Sequence, residues 1–229
     1  MTLYDTIFKR RSVRKYRQEK LSHDDLSDIE NYIKSIKQLD GCEAKFRIIS
    51  QEEMDYNLAP HYIIASCKAC NENYANVGFV LEKVDLYLQS KGYGSLWLGM
   101  KLPKASEEND SMVMAFGLTD LPFREEKDFD RLKLSKISNE DNDIAKVARL
   151  APSAVNSQPW FLEFKENEVV VNYHGRGLLK AVLEPKMNKV DIGIVTRIIT
   201  IALENNNKKI LSITPLTDKK NFSISIKYE

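Results

Sequence analysis

Two apolar rhythms alternate along the chain, one at helical spacing and one at strand spacing, and together they lay out its elements. Residues 3–8 read as a short opening helix. Ser22 is placed to cap a second helix, with Asp24 and Asp25 in the first turn, where the helix dipole favours carboxylates. Leu26, Ile29, Ile33 and Ile36 recur every three or four residues and form its apolar face. Strand-like runs follow at 44–50 and 61–67, separated by the acidic, polar stretch 51–57. The strongest helical signal covers 73–91: Val77, Val80, Leu81, Val84 and Leu88 define a face that Phe79, Leu86 and Tyr87 widen, which predicts a central helix. It stops at Gly92. Residues 111–118 read as a buried strand, 142–150 as a helix, and 161–165 with 169–173 as a hairpin about Glu166-Asn167-Glu168. A second long apolar helix is expected over 190–203, and closing strands over 209–213 and 222–227, the last with clear period-two alternation.

The order of these elements repeats. Asn76-Val-Gly-Phe-Val-Leu81 and Asp191-Ile-Gly-Ile-Val-Thr196 open the two long helices with the same pattern, 115 residues apart. Each half runs helix, strand, strand, long helix, strand. This predicts an internal duplication, with a first half over 1–135 and a second over 136–229.

Composition narrows the classes of function. At 229 residues, 43% hydrophobic and 29% charged, the chain is long enough to bury a substantial core. A net charge of +1 gives no bulk attraction to nucleic acid or to an anionic membrane, so neither is an expected partner and any anion site must be local. The N-terminus carries no apolar signal segment, and no run approaches the roughly 18 apolar residues of a membrane span; a cytoplasmic protein is expected. Cys67 and Cys70 have C-x-x-C spacing, but no second pair follows and the three histidines are scattered, so no metal site is expected. Redox use of this pair and incidental thiols both remain open.

Three segments carry candidate chemistry. Lys9-Arg-Arg-Ser-Val-Arg-Lys-Tyr16 holds five cations and a hydroxyl, a set suited to a phosphate monoester, although a solvated basic turn has the same composition. Gly92-Tyr-Gly-Ser-Leu-Trp-Leu-Gly99 has three glycines that permit close backbone approach, without the spacing of a dinucleotide fingerprint. Ala151-Pro-Ser-Ala-Val-Asn-Ser-Gln-Pro-Trp160 sets hydroxyls and amides between two rigid prolines; taken alone, it is also an ordinary helix-to-strand connection. In the mixed-charge stretch 123–133, Arg124, Arg131 and Lys133 could reach a phosphate, while the interleaved carboxylates suit a solvated linker.

Together these segments resemble the hallmarks of the FMN-dependent nitroreductase family. The resemblance implies an α+β, nitroreductase-like fold: a central, mostly antiparallel sheet flanked by helices, in two similar halves packed as a pseudo-dimer. It implies that Arg10, Arg11, Ser12 and Arg14 grip the FMN phosphate and ribityl chain, that Trp97 packs by the ring, and that Leu98 and Gly99 offer backbone N–H groups near flavin N5. Pro152, Ser153, Ala154, Asn156 and Gln158 would supply the flavin-contacting loop, with the two amides on the polar edge of the ring or ribityl chain. Family members carry that loop just after the first long helix, where this chain reads Lys37-Gln-Leu-Asp-Gly-Cys-Glu-Ala44. Since family enzymes are homodimers with FMN at the subunit interface, the displaced loop implies a fused pseudo-dimer that builds one flavin site between its halves. The symmetry-related second site is expected to be dead: no Arg-Arg-Ser-x-Arg stands at 139–143, and Asn205-Asn-Asn-Lys208 replaces the Gly-rich stretch.

The implied activity is NAD(P)H-dependent reduction of nitroaromatic, quinone or related small acceptors by ping-pong transfer through the flavin. No side-chain acid or nucleophile is required, and NADH or NADPH would serve as co-substrate. The alternative is a flavin storage or sensor protein without turnover. A monomer acting as its own pseudo-dimer is expected, with a homodimer left open.

Overall fold

The two long apolar helices cross at the centre of the molecule, backbone against backbone. The computed structural model describes residues 1–99, 101–175, 185–217 and 221–229. In chain order its elements are α1 (Leu3–Ile7), α2 (His23–Ser35), β1 (Lys45–Ser50), β2 (His61–Ser66), α3 (Asn71–Ser90), β3 (Tyr93–Gly99) and β4 (Asp110–Leu118). The second half follows with α4 (Asp143–Ala148), β5 (Trp160–Lys165), β6 (Glu168–Tyr173), α5 (Pro185–Asn205), β7 (Ile210–Thr217) and β8 (Phe222–Tyr228).

The cap expected at Ser22 is present, and a second stands at Asn142. Ser22 Oγ accepts the Asp25 N–H at 3.1 Å, and Asn142 Oδ1 accepts that of Ala145 at 2.9 Å. Cys70, whose role was open, accepts the Asn73 N–H through Sγ at 3.4 Å and so caps α3; Cys67 is buried, and no disulfide joins the two.

The antiparallel sheet is realised as two four-stranded sheets, one per half, in the orders β1-β2-β4-β3 and β5-β6-β8-β7. Counted from the start of each half, the two orders are the same. The Gly-rich stretch read above as backbone near a ligand is itself a strand, β3, paired with β4. Its glycines, Gly94 and Gly99, break the apolar alternation that would have revealed it.

The helix crossing is reciprocal. A Cβ added to Gly78 would stand 2.0 Å from the Val190 carbonyl oxygen, and one added to Gly193 would stand 1.8 Å from that of Ala75. Gly78 and Gly193 are 115 residues apart, and so are Ala75 and Val190, so each glycine admits the counterpart of its partner's neighbour, as at a twofold interface. The same relation holds for a pair of side chains. Asn76 Oδ1 accepts the Leu39 N–H at 2.9 Å, and Asp191 Oδ1 accepts the Ala154 N–H at 3.0 Å. The main core gathers both helices and the facing sides of both sheets. A smaller cluster, including Val13, Tyr62, Ile64 and Val113, lies on the far face of the first sheet, where the chain after α1 covers it. Among the described residues no helix is long and apolar enough to cross a membrane.

Candidate functional site

The segment after α1 is extended along β3. Val13 donates its N–H to Ser95 O at 2.9 Å, and Ser12 bridges Ser95 in parallel fashion. Side chains of an extended segment alternate, so Val13 enters the smaller core cluster while Ser12 and Arg14 turn to the opposite side. Gly94 makes this approach possible, since a Cβ there would lie 2.8 Å from Val13 Cγ1. Further along β3 the register runs from Trp97↔Met114 to Gly99↔Val113 and skips Leu98. Such a bulge redirects the strand end out of the ladder.

The loop after α4 meets this strand end from the other half. Ser153 Oγ accepts the Gln158 N–H at 2.9 Å and closes the turn. Val155, Asn156 and Gln158 are left-handed, with φ of 46°, 57° and 47°. A β-branched residue in that region is strained, and Val155 is nonetheless 65% exposed at the lip of the site.

Between these pieces lies a cavity of about 320 Å³. It brings together Ser12, Arg14, Trp97, Leu98 and Gly99 of the first half with Pro152, Ser153 and Ala154 of the second. Leu96 and Val155 complete those two walls, and one face of α5, formed by Met187, Val190, Asp191 and Ile194, makes a third. Sequence reasoning missed that face. Its spacing was legible as helical, but an apolar helical face reads as core whether it meets a sheet or a cavity.

Four expected site residues do not line the cavity. Arg10 is 1% exposed and turns inward, donating Nε–H to Asp85 Oδ2 at 2.9 Å. The other Asp85 oxygen takes hydrogen bonds from Gln89 at 2.8 Å and from Ser95, which completes a buried network. Arg11 donates its backbone N–H to Gln89 Oε1 at 2.8 Å and its Nη1 to Pro122 O at 2.6 Å, so it is anchored on the outer side of β3. Asn156 accepts Arg131 Nη1 at 2.9 Å and donates to Asp130 O at 3.0 Å, while Gln158 Oε1 accepts the Leu132 N–H at 3.0 Å. These amides fasten the 123–133 segment to the loop. The segment is therefore more than a solvated linker: Arg131 is held by Asn156 and by Leu150 O, at 3.0 Å for the latter, although Lys133 is exposed.

The sequence matches the family described as "Putative TM nitroreductase" over residues 2–203. The chain belongs to this nitroreductase family. Among solved structures it is similar to a protein of Thermotoga maritima MSB8 described as a "putative nitroreductase", at 19% identity and a TM-score of 0.75, covering 99% of this chain and 94% of that one. It also matches a "putative nitroreductase in complex with FMN" from Desulfovibrio desulfuricans, at 15% identity and a TM-score of 0.49, over 62% of this chain and 98% of that one. An "FMN-dependent nitroreductase" of Clostridium difficile R20291 matches at 15% identity and a TM-score of 0.45, over 55% of this chain and 93% of that one. A comparison with curated proteins gives no match.

In this nitroreductase-family chain, arginines of the 123–133 segment stand near those of the segment after α1. Burial lowers the pKa of Arg131 to about 10, with Arg10 and Arg124 pushing the same way. Arg124 is lowered by burial and then by Arg10, Arg11 and Arg14. Arg10, by contrast, is held charged by Asp85, which raises its pKa against the effect of burial. Glu82 adds little charge, because burial and the nearby Asp85 raise its pKa well above the usual range. Asp191 forms the other polar extreme. Burial lifts its pKa to about 7 against the opposing Ala154 N–H, and its Oδ2 is buried without a hydrogen-bond partner. Its counterpart Asn76 uses its amide nitrogen on Gln38 Oε1 at 2.6 Å, a bond that a carboxylate cannot make.

Proposed function

We propose that this cavity binds FMN and that the protein is an NAD(P)H-dependent oxidoreductase acting on nitroaromatic, quinone or related small acceptors. The observation that carries this reading is the convergence on one cavity of Ser12 and Arg14, the end of β3, and the 152–154 loop. These pieces come from different halves. The residues present fit a phosphorylated flavin. Trp97, which lines the cavity, has a buried Nε1 without a hydrogen-bond partner, and Arg14 and Ser12 bring to the same cavity a guanidinium and a hydroxyl of the kind a phosphate takes.

Bound there, FMN would supply hydride acceptance from a nicotinamide and electron delivery to the acceptor. The chain's own part is placement and field. Ser12 and Arg14 offer a hydroxyl and a guanidinium to the phosphate, and Arg10, Arg124 and Arg131 deepen the positive potential behind them. Backbone N–H groups at Leu98 and Gly99 would be the donors for negative charge on a bound flavin, while Met187 and Ile194 would exclude water. Asp191 holds the 152–154 loop through Ala154. The reading extends to an internally duplicated, monomeric, cytoplasmic chain with one flavin site.

The test is a visible spectrum of the purified protein, supplemented with FMN, before and after anaerobic NADH and NADPH. Flavin bands that bleach with either nicotinamide support the reading and show which one is preferred. Bands that persist under both overturn the enzymatic part in favour of flavin storage or sensing, and absence of flavin uptake overturns the site.

A further inference from the structure

The pseudo-twofold relation carries the cavity described above onto a second one. A cavity of about 220 Å³ is lined by residues 37–40, which stand 115 positions before 152–155, and by Leu211, Ser212 and Ile213, the counterparts of Leu96, Trp97 and Leu98. Phe79 takes the place of Ile194. The structural counterpart of the Gly-rich stretch is thus β7 and not the Asn205-Asn-Asn-Lys208 turn that the sequence suggested. No residue of the 123–133 segment lines this second cavity, because that segment is bonded to the first: Arg124 N–H donates to Lys9 O at 2.9 Å.

The charge of the second cavity is rearranged. In the first half, Glu82, Asp85 and Gln89 receive Arg10 from outside the helix. At the corresponding positions of α5 stand Arg197, Thr200 and Glu204, so the cation is built into the helix and the space that Arg10 would fill is open. Arg197 is 7% exposed, stacks its guanidinium 3.4 Å from the centre of the Phe79 ring, and donates to two carbonyls, Phe79 O at 2.9 Å and Lys37 O at 3.5 Å. Lys83 lines the same cavity from α3. Glu204 is exposed at the rim, and Asp40 is engaged by Lys37 at 3.2 Å. Burial lowers the pKa of Arg197 to about 9, and that of Lys83 is lowered by burial and then by Arg197 itself. Two cations are therefore crowded into a half-closed space where Glu204 opposes them from outside.

We propose that this second cavity is a binding site for a small organic carboxylate, its head held by Lys83 and Arg197 and its flat apolar body set against Leu39 and Ile213. The site the sequence marked as dead for flavin is thereby retained for a different ligand. The proposal rests on the pseudo-symmetry and on the residues of this cavity, and it stands whether or not FMN occupies the first one.

Benzoate is a suitable probe, followed through the methyl signals of ¹³C-labelled isoleucine in the full chain. Ile213 and Ile210 report on this cavity, and Ile194 on the other. The expected result is a saturable shift of the Ile213 methyl, weakened at least tenfold in Lys83→Met and unchanged in affinity in Arg14→Ala. Lys83 is half-buried and its removal leaves no hydrogen-bond network open, so the variant is expected to fold; its isoleucine spectrum without benzoate checks this directly. No saturable shift at Ile213, or one that survives Lys83→Met unchanged, would overturn the proposal.

Discussion

The reciprocal helix crossing makes a sharp prediction for Gly193→Ala. The added Cβ would lie 1.8 Å from Ala75 O, 2.7 Å from Ala75 C and 2.8 Å from Phe79 N, all of them backbone atoms that no rotamer change can move aside. A carbon–oxygen contact relaxes to about 3.3 Å, so α3 and α5 must part by more than about 1 Å. A gap of that size forfeits roughly a quarter to a half of the dispersion energy of each contact along the crossing. Overpacking of this kind costs about 3 kcal/mol, at the upper end of its usual range, and alanine returns about 1 kcal/mol of helix propensity. The net loss is about 2 kcal/mol, a fall of about 4–8 °C in Tm for a chain of this size. Urea denaturation followed by circular dichroism measures it. Gly78→Ala should cost a similar amount, since its Cβ would meet Val190 O at 2.0 Å, and the double variant should lose less than the sum because one opened crossing relieves both clashes. A Gly193→Ala protein as stable as the parent, or strictly additive losses, would refute the reciprocal crossing.

Further outcomes follow from the site. Arg14 is exposed at the cavity, so Arg14→Ala should leave Tm within about 1 °C while weakening FMN about tenfold or more in a flavin-fluorescence titration, the loss of one charge-assisted contact. Asp191 has its pKa raised from 3.8 to about 7, so its contribution to stability is complete below about pH 4 and is lost as pH rises towards 7. Asp191→Asn keeps an acceptor for Ala154 and should stabilise the protein at pH 8, by up to on the order of 4 kcal/mol, and not at pH 4; a pH-independent difference in urea midpoint would refute the assignment. Val155→Asn should raise Tm by a few degrees, because asparagine tolerates the left-handed conformation that strains valine by about 1–3 kcal/mol, and a lower Tm would count against strain at that residue.

Much of this arrangement was legible in the sequence, and the remainder shows where such reading ends. Paired glycines at matching places in two apolar helices pointed to the duplicated architecture, and they prove to be the crossing point itself. Ser12 and Arg14 enter through the family resemblance, and the fold sets them on one side of an extended segment, as residues two apart lie. Arg10 could not be separated from them by type. What turns it inward is Asp85, 75 residues away on α3, whose carboxylate also gathers Gln89 and Ser95. Asn156 and Gln158 have amides of the right chemistry for a flavin, yet the backbone of residues 130–132 claims them, a partner visible only once the chain is folded. In the sequence Asp191 reads only as part of the repeat. Its difference from Asn76 is one atom, and burial gives that atom its consequence.

The central claim is that two halves of one chain build a single flavin site. Native mass spectrometry of the protein after FMN saturation and removal of excess tests it most directly. The account predicts one FMN on a single chain, without dimerisation. Two FMN per chain, or FMN retained only in a dimer, would contradict it.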